Sequence, residues 1–223
     1  MTDKHADAVR FFKAIPWCAA FFERPDLVLF TPSSRLEGPD GSPASKDKLM
    51  RKSLHASDSV PHCIGFYQDD TKATASTADN GSSSDAPSSP RLLTNSVCLI
   101  YDLQPGVSGY HGSVHGGFFS VLADEAMGSL IYQNFFLQKQ KQEDPKWRLP
   151  PGTLDLMNVQ YFTASMNTRL QKPLPTPSVI AVTASLSKVQ GRKMFVSVAI
   201  ENEKGVRFAT CEGLWISLPA EKI

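Results

Sequence analysis

In the last third of the chain, apolar and polar residues alternate almost one by one. Across residues 178–189, Ile180, Val182, Ala184 and Leu186 interleave with Ala181, Thr183, Ser185 and Ser187, the period of two expected of a strand buried on one face. Residues 153–163, 192–201 and 206–218 have similar strand content, and Gln190-Gly191 and Lys204-Gly205 offer hairpin turns between them. Just upstream the period becomes helical: Phe118, Val121, Leu122, Ala126, Leu130 and Ile131 make a broad apolar face. Ala123, Gly128 and Ser129 are small enough for that helix to lie close against a sheet. Residues 62–68 and 92–103 are also strand-like. Between them, residues 69–90 contain almost no large apolar side chain, so burial cannot offset their ordering entropy, and they predict a polar surface loop at the tip of a long hairpin.

The first 60 residues predict an N-terminal helical extension. Phe11, Phe12, Ile15, Trp17, Phe21 and Phe22 are available for burial, and Pro16 divides residues 3–23 into two short helices. A further helix is expected over residues 45–56, with Ser45 as its cap. Asp3, Asp7 and Glu23 offset Arg10, Lys13 and Arg24, so the extension is expected to pack on the main domain and not to bind a membrane. The same acidic residues argue against a mitochondrial transit peptide. The expected organisation is an extension over 1–60, an added strand over 61–68, the polar loop 69–90 and a main domain over 91–219.

The chemistry concentrates where a glycine-rich turn enters the helix. His115, Gly116 and Gly117 sit at that junction, where backbone N–H groups lack intrahelical partners and, with the helix dipole, suit an oxyanion. Asp124 falls within the apolar stretch, where a carboxylate is costly unless hydrogen-bonded or solvated. Eight residues separate Gly116 from Asp124, roughly 12 Å along one helix. They cannot reach the same carbonyl within one subunit. If both act on one substrate, a second copy of the helix must run antiparallel alongside, in a dimer. Glu125 is rotated by about 100° from Asp124 and stands as a fallback carboxylate facing elsewhere.

His-Gly-Gly at 115–117, Asp124 nine residues after His115, Gly128 and four strand-like segments together resemble the hotdog-fold acyl-CoA thioesterases of the PaaI-like type, over about residues 91–218. The resemblance implies an α+β hotdog fold, an antiparallel sheet wrapped around one long central helix. It implies hydrolysis of an acyl-CoA or related thioester to acid and thiol by a homodimer or tetramer. In that scheme the Gly116 N–H holds the carbonyl, Gly117 shapes the turn, and Asp124 of the partner chain acts as general base for water or as nucleophile. His115 either orients the helix start or touches the thioester. Many relatives place a Ser or Thr four residues before an Asn matching Asn158; that position is Leu154 here, and Thr153 could take the role through a β-bulge. Another branch has an Asn where this chain has Gly109. Lys188, Arg192 and Lys193, around a hairpin turn, are candidates for the CoA phosphates.

Two other classes compete. A hotdog hydratase is disfavoured because the D-x-N-P-x-x-H run is missing, and a non-catalytic acyl-CoA binder because a passive apolar tunnel gains nothing from Asp124. Composition narrows the picture further. The 223 residues are 41% hydrophobic with a net charge of +1, enough for a sizeable core and without the basic balance of a nucleic-acid binder. Cys18, Cys63, Cys98 and Cys211 lie far apart, which suggests reduced structural thiols and neither a disulfide framework nor a metal site. No dinucleotide fingerprint or P-loop occurs, so the expected cofactor is none beyond the CoA of the substrate. Without an apolar run of spanning length or a signal-like start, the expected location is intracellular, in the cytoplasm, with import into an organelle as the alternative.

Overall fold

The computed structural model describes residues 4–36, 47–68, 90–110 and 112–219. Two helices, α1 (Lys4–Lys13) and α2 (Pro16–Glu23), precede strands β1 (Leu27–Phe30), β2 (Cys63–Gln68) and β3 (Ser96–Leu103). A small ribbon, β4 (Ser108–Tyr110) and β5 (Ser113–Val114), leads into the long helix α3 (Phe118–Lys141). Strands β6 (Val159–Leu170), β7 (Ser178–Gln190), β8 (Lys193–Glu201) and β9 (Arg207–Pro219) follow. Seven strands form one antiparallel sheet in the order β1-β2-β3-β7-β8-β9-β6. Helix α3 packs on one face of it, touching β3, β7, β8, β9 and β6, which is the hotdog arrangement.

The period of two becomes packing on that face. Ile180, Val182 and Ala184 of β7 and Met194, Val196, Val198 and Ile200 of β8 are buried beneath α3. From the helix, Leu122, Ala126, Met127 and Leu130 have no exposed surface; each buried large aliphatic side chain stabilises the fold by about 1.5–3 kcal/mol. Met127 lies over Gly213 of β9, where a Cβ would collide with its sulfur. Glycine there lets helix and sheet approach closely.

The second face explains the extension. Phe12 and Cys18 are fully buried against Ile64, Phe66 and Ile100, and the rings of Phe21 and Phe22 lie 5.4 and 5.2 Å from that of Phe66. Phe11 stacks on His62 at 4.2 Å, and His62 pairs with the buried Asp102 at 2.9 Å. Strands β2 and β3 are thus covered on both faces, which accounts for their near-continuous apolar runs.

Three expectations change. The helix over 45–56 is a single turn, Leu49–Ser53, closed by the Leu54 N–H on the Leu49 carbonyl. Asp47 accepts from the N–H groups of Leu49 and Met50 at 2.8 and 3.2 Å, while Ser45 lies outside the described residues. The strand expected at 153–163 begins at Val159 and continues to Leu170. Its predecessor is held to the helix instead: Gln138 donates to the Leu154 carbonyl at 2.7 Å and accepts from the Leu156 N–H at 2.9 Å. Strand β1, too short to show alternation, extends the sheet beside β2. The strands flanking the polar loop do pair as hairpin arms; residues 69–89 of that loop lie outside the described residues. Among the described residues no helix is long and apolar enough to cross a membrane.

Candidate active site

His115, Gly116 and Gly117 are exposed at the entry to α3. The His115 N–H donates to the Val107 carbonyl at 2.9 Å, and its imidazole Nδ1 accepts the Gly117 N–H at 3.1 Å. The histidine therefore folds the turn on itself and occupies one of the two glycine donors. Among the described residues no acceptor takes the Gly116 N–H. Gly109 supports the turn from behind, since a Cβ at that position would lie 2.8 Å from the His115 Cα. This close approach explains why the position holds glycine.

Strand β6 runs beside α3 in the opposite direction and contacts it at three levels. The side chain of Leu170 approaches Gly116, Ser120 shares a 2.9 Å hydrogen bond with Thr168, and the Thr163 hydroxyl donates to Asp124 Oδ1 at 2.8 Å. A bulge in the pairing with β9, between Thr163 and Ser165, interrupts the strand next to that threonine. The hydroxyl beside Asp124 is thus Thr163. Thr153 lies beside the segment clamped by Gln138, fourteen residues beyond Asp124 on the helix and on the order of 20 Å away along its axis. The sequence offers several hydroxyls after the helix; only the register of β6 shows which one meets Asp124.

A groove of about 650 Å³ opens beside Asp124, with Ile131, Phe135, Met157, Val159 and Trp215 among its walls. Glu125 borders the same groove but turns toward the N-terminal segment, where Ser34 donates a hydrogen bond to its Oε1. Burial pushes the Glu125 carboxyl up from 4.5 to about 7, against the opposing effects of the Ser34 hydroxyl and the Arg35 guanidinium. Sequence reasoning had no signal for Ser34, which is 91 residues away.

The structure brings His115, Gly116 and Gly117 together and sets Asp124 apart from them, along the helix. Lys193 pairs with Ile216 in β8–β9, and Ile216 with Phe162 in β9–β6, next to Thr163. The turn holding Arg192 and Lys193 therefore lies at the Asp124 end of the sheet. Lys188 places its ammonium over the Phe195 ring, 4.6 Å from the centroid, and the Arg192 carbonyl accepts the Ser217 N–H at 2.9 Å.

Residues 111–209 match the family model described as the thioesterase superfamily. Verlamelin biosynthesis protein B of Lecanicillium sp. is 31% identical over 179 residues, 77% of this chain and 73% of that protein. The chain belongs to the thioesterase superfamily. Its match to a second superfamily relative, acyl-coenzyme A thioesterase THEM4 of Bos taurus, is 27% identical over 56% of this chain and only 42% of that protein. This member thus spans less than half the length of THEM4. A crystal structure of a thioesterase superfamily protein superposes with a TM-score of 0.46 and 20% identity, covering 70% of this chain and 54% of that one.

Proposed function

We propose that this protein hydrolyses an acyl-CoA, or a related acyl thioester, to the free acid and thiol, and that two subunits build each site. The observation that carries the reading is Asp124, held by Thr163 at the edge of a groove with Ile131, Phe135, Val159 and Trp215 among its walls. Residues 91–219 form the catalytic unit in this reading and 1–60 its N-terminal extension, which adds β1 to the same sheet.

Strand β6 supports the dimer. Among the described residues this twelve-residue strand pairs only with β9, and Phe162 and Leu170 on it are 44% and 54% exposed. A long unpaired edge is a template for another strand. Antiparallel pairing of β6 with its own copy about an axis near Met166 and Asn167 would set the Thr163 end of one chain against the Leu170 end of the other. Asp124 of one subunit then faces Gly116 of its partner, which removes the roughly 12 Å obstacle within one chain.

In this site the open Gly116 N–H, at the positive end of α3, holds the thioester carbonyl and stabilises the oxyanion that forms on it. Thr163 donates to Oδ1 of Asp124, leaving Oδ2 to take a proton from water. The water oxygen bonds to the carbonyl carbon, the carbon–sulfur bond breaks, and the proton passes on to the departing thiolate. The acyl chain lies in the groove, and Lys188, Arg192 and Lys193 attract the CoA phosphates. No cofactor enters this scheme.

Thiol release from a panel of acyl-CoAs tests it. Asp124→Asn should keep fold and assembly and lower turnover by about 10²–10⁴-fold. Near wild-type turnover by the purified, folded variant would overturn the assignment.

A further inference from the structure

The groove beside Asp124 has an uneven polarity. Asp124 and Glu125 of α3 and Asp47 before the Leu49–Ser53 turn line it together with Ser33, whereas Ile131 and Phe135, farther along the helix, are apolar. Among the described lining residues there is no Lys, Arg or His. Resting on the acyl-thioester reading above, we propose that this groove selects neutral acyl chains and rejects acyl groups carrying a second carboxylate, with Glu125 as a specificity-determining residue.

The physical basis is repulsion in a confined, poorly solvated space. A substrate carboxylate close to the thioester would enter among three acidic side chains, with no Lys, Arg or His among the described residues of the wall, and would lose its own hydration on the way in. A methyl group at the same place meets no such penalty. Discrimination against the wrong substrate by an unfavourable element is a common route to specificity. Asp124 is committed to the chemistry, and Asp47 caps its own turn. Glu125 has neither task. Its surroundings are mixed: Ser34 donates to it, Arg35 attracts it, Asp47 and Asp124 repel it, and buried Tyr101 of β3 and Cys63 of β2 feel its charge from below. Arg35 donates to the Val60 carbonyl and borders a separate recess with His5 and Thr31, so it does not line this groove.

Burial holds the Glu125 carboxyl up to about 7, so its negative charge grows as pH rises through neutrality. Rejection should therefore strengthen over the same interval. This pH dependence distinguishes Glu125 from a residue that merely shapes the wall.

The test compares butanoyl-CoA with succinyl-CoA, which places a carboxylate where the former has a methyl, by kcat/KM from pH 6 to 8. In wild-type enzyme the succinyl/butanoyl ratio should fall several-fold as pH rises. Glu125→Gln should raise that ratio by about tenfold at pH 8 and flatten its pH dependence. Ser34→Ala, a milder change, removes a hydrogen bond that favours the charged form, so the midpoint of the wild-type pH dependence should move upward. A ratio flat with pH in wild type and unchanged in Glu125→Gln, or a midpoint moved downward in Ser34→Ala, overturns the inference. Failure of wild-type enzyme to release thiol from butanoyl-CoA and longer neutral acyl-CoAs would instead refute the acyl-CoA hydrolase reading, and the inference with it.

Discussion

Glu125 should make the protein less stable as pH rises from acid to neutral, and Glu125→Gln should remove that dependence. Burial is the largest influence on this carboxyl and lifts it from 4.5 to about 7. The folded state therefore keeps a proton that the unfolded chain releases near pH 4.5. Between those values the folded state binds more protons, so the contribution is fully present below about pH 4.5 and lost as pH rises to about 7. At 1.36 kcal/mol per pH unit the loss amounts to roughly 3 kcal/mol, a large share of the stability of an ordinary domain. Glutamine has almost the same shape, and its amide oxygen can still accept the Ser34 hydroxyl. Urea unfolding of both proteins at equal concentration, at intervals from pH 4.5 to 7.5, isolates the effect, because all other titrating groups are common to the pair. Relative to their difference at pH 4.5, Glu125→Gln should gain roughly 3 kcal/mol on wild type by pH 7.5. Parallel stability curves across that range would show that the Glu125 carboxyl is not displaced by its surroundings, and the reasoning from burial would fail.

Removing the hydroxyl that holds Asp124, by Thr163→Val, should lower kcat by about 10–100-fold, the value of a hydrogen bond to a charged group, while Thr163→Ser restores most of it; equal activity in all three proteins would exclude the contact from the mechanism. Mixing an inactive Gly116→Pro chain with an inactive Asp124→Asn chain should recover activity, since one site of each heterodimer then keeps both groups. Folding of the proline variant is checked first by circular dichroism, and heterodimers that form but stay inactive would refute the shared site. Phe12→Ala should cost about 3–5 kcal/mol in chemical denaturation, because Phe12 is fully buried against the outer face of the sheet; a loss below about 1 kcal/mol would mean that the extension does not dock there.

Much of the framework was legible in the chain itself because its cause is local. Alternation along 178–189 and the helical period from Phe118 follow from which face of each element meets the core, and both survive in β7 and α3. Pro16 separates α1 from α2 because a ring without an N–H starts a helix more readily than it continues one. The His-Gly-Gly turn and the distance to Asp124 could likewise be read from spacing, since helix rise is a constant of the backbone. Other features depend on residues far apart in the chain. Thr163 meets Asp124, and Thr153 does not, because Gln138 holds residues 154–156 against the helix and delays the strand to Val159. The elevated Glu125 carboxyl depends on burial and on Ser34, a neighbour 91 positions upstream. Local periodicity fixes which side of an element is apolar; which polar groups meet across the resulting interfaces is decided by strand register and by the path of the N-terminal segment, and both arise only when the sheet closes around α3.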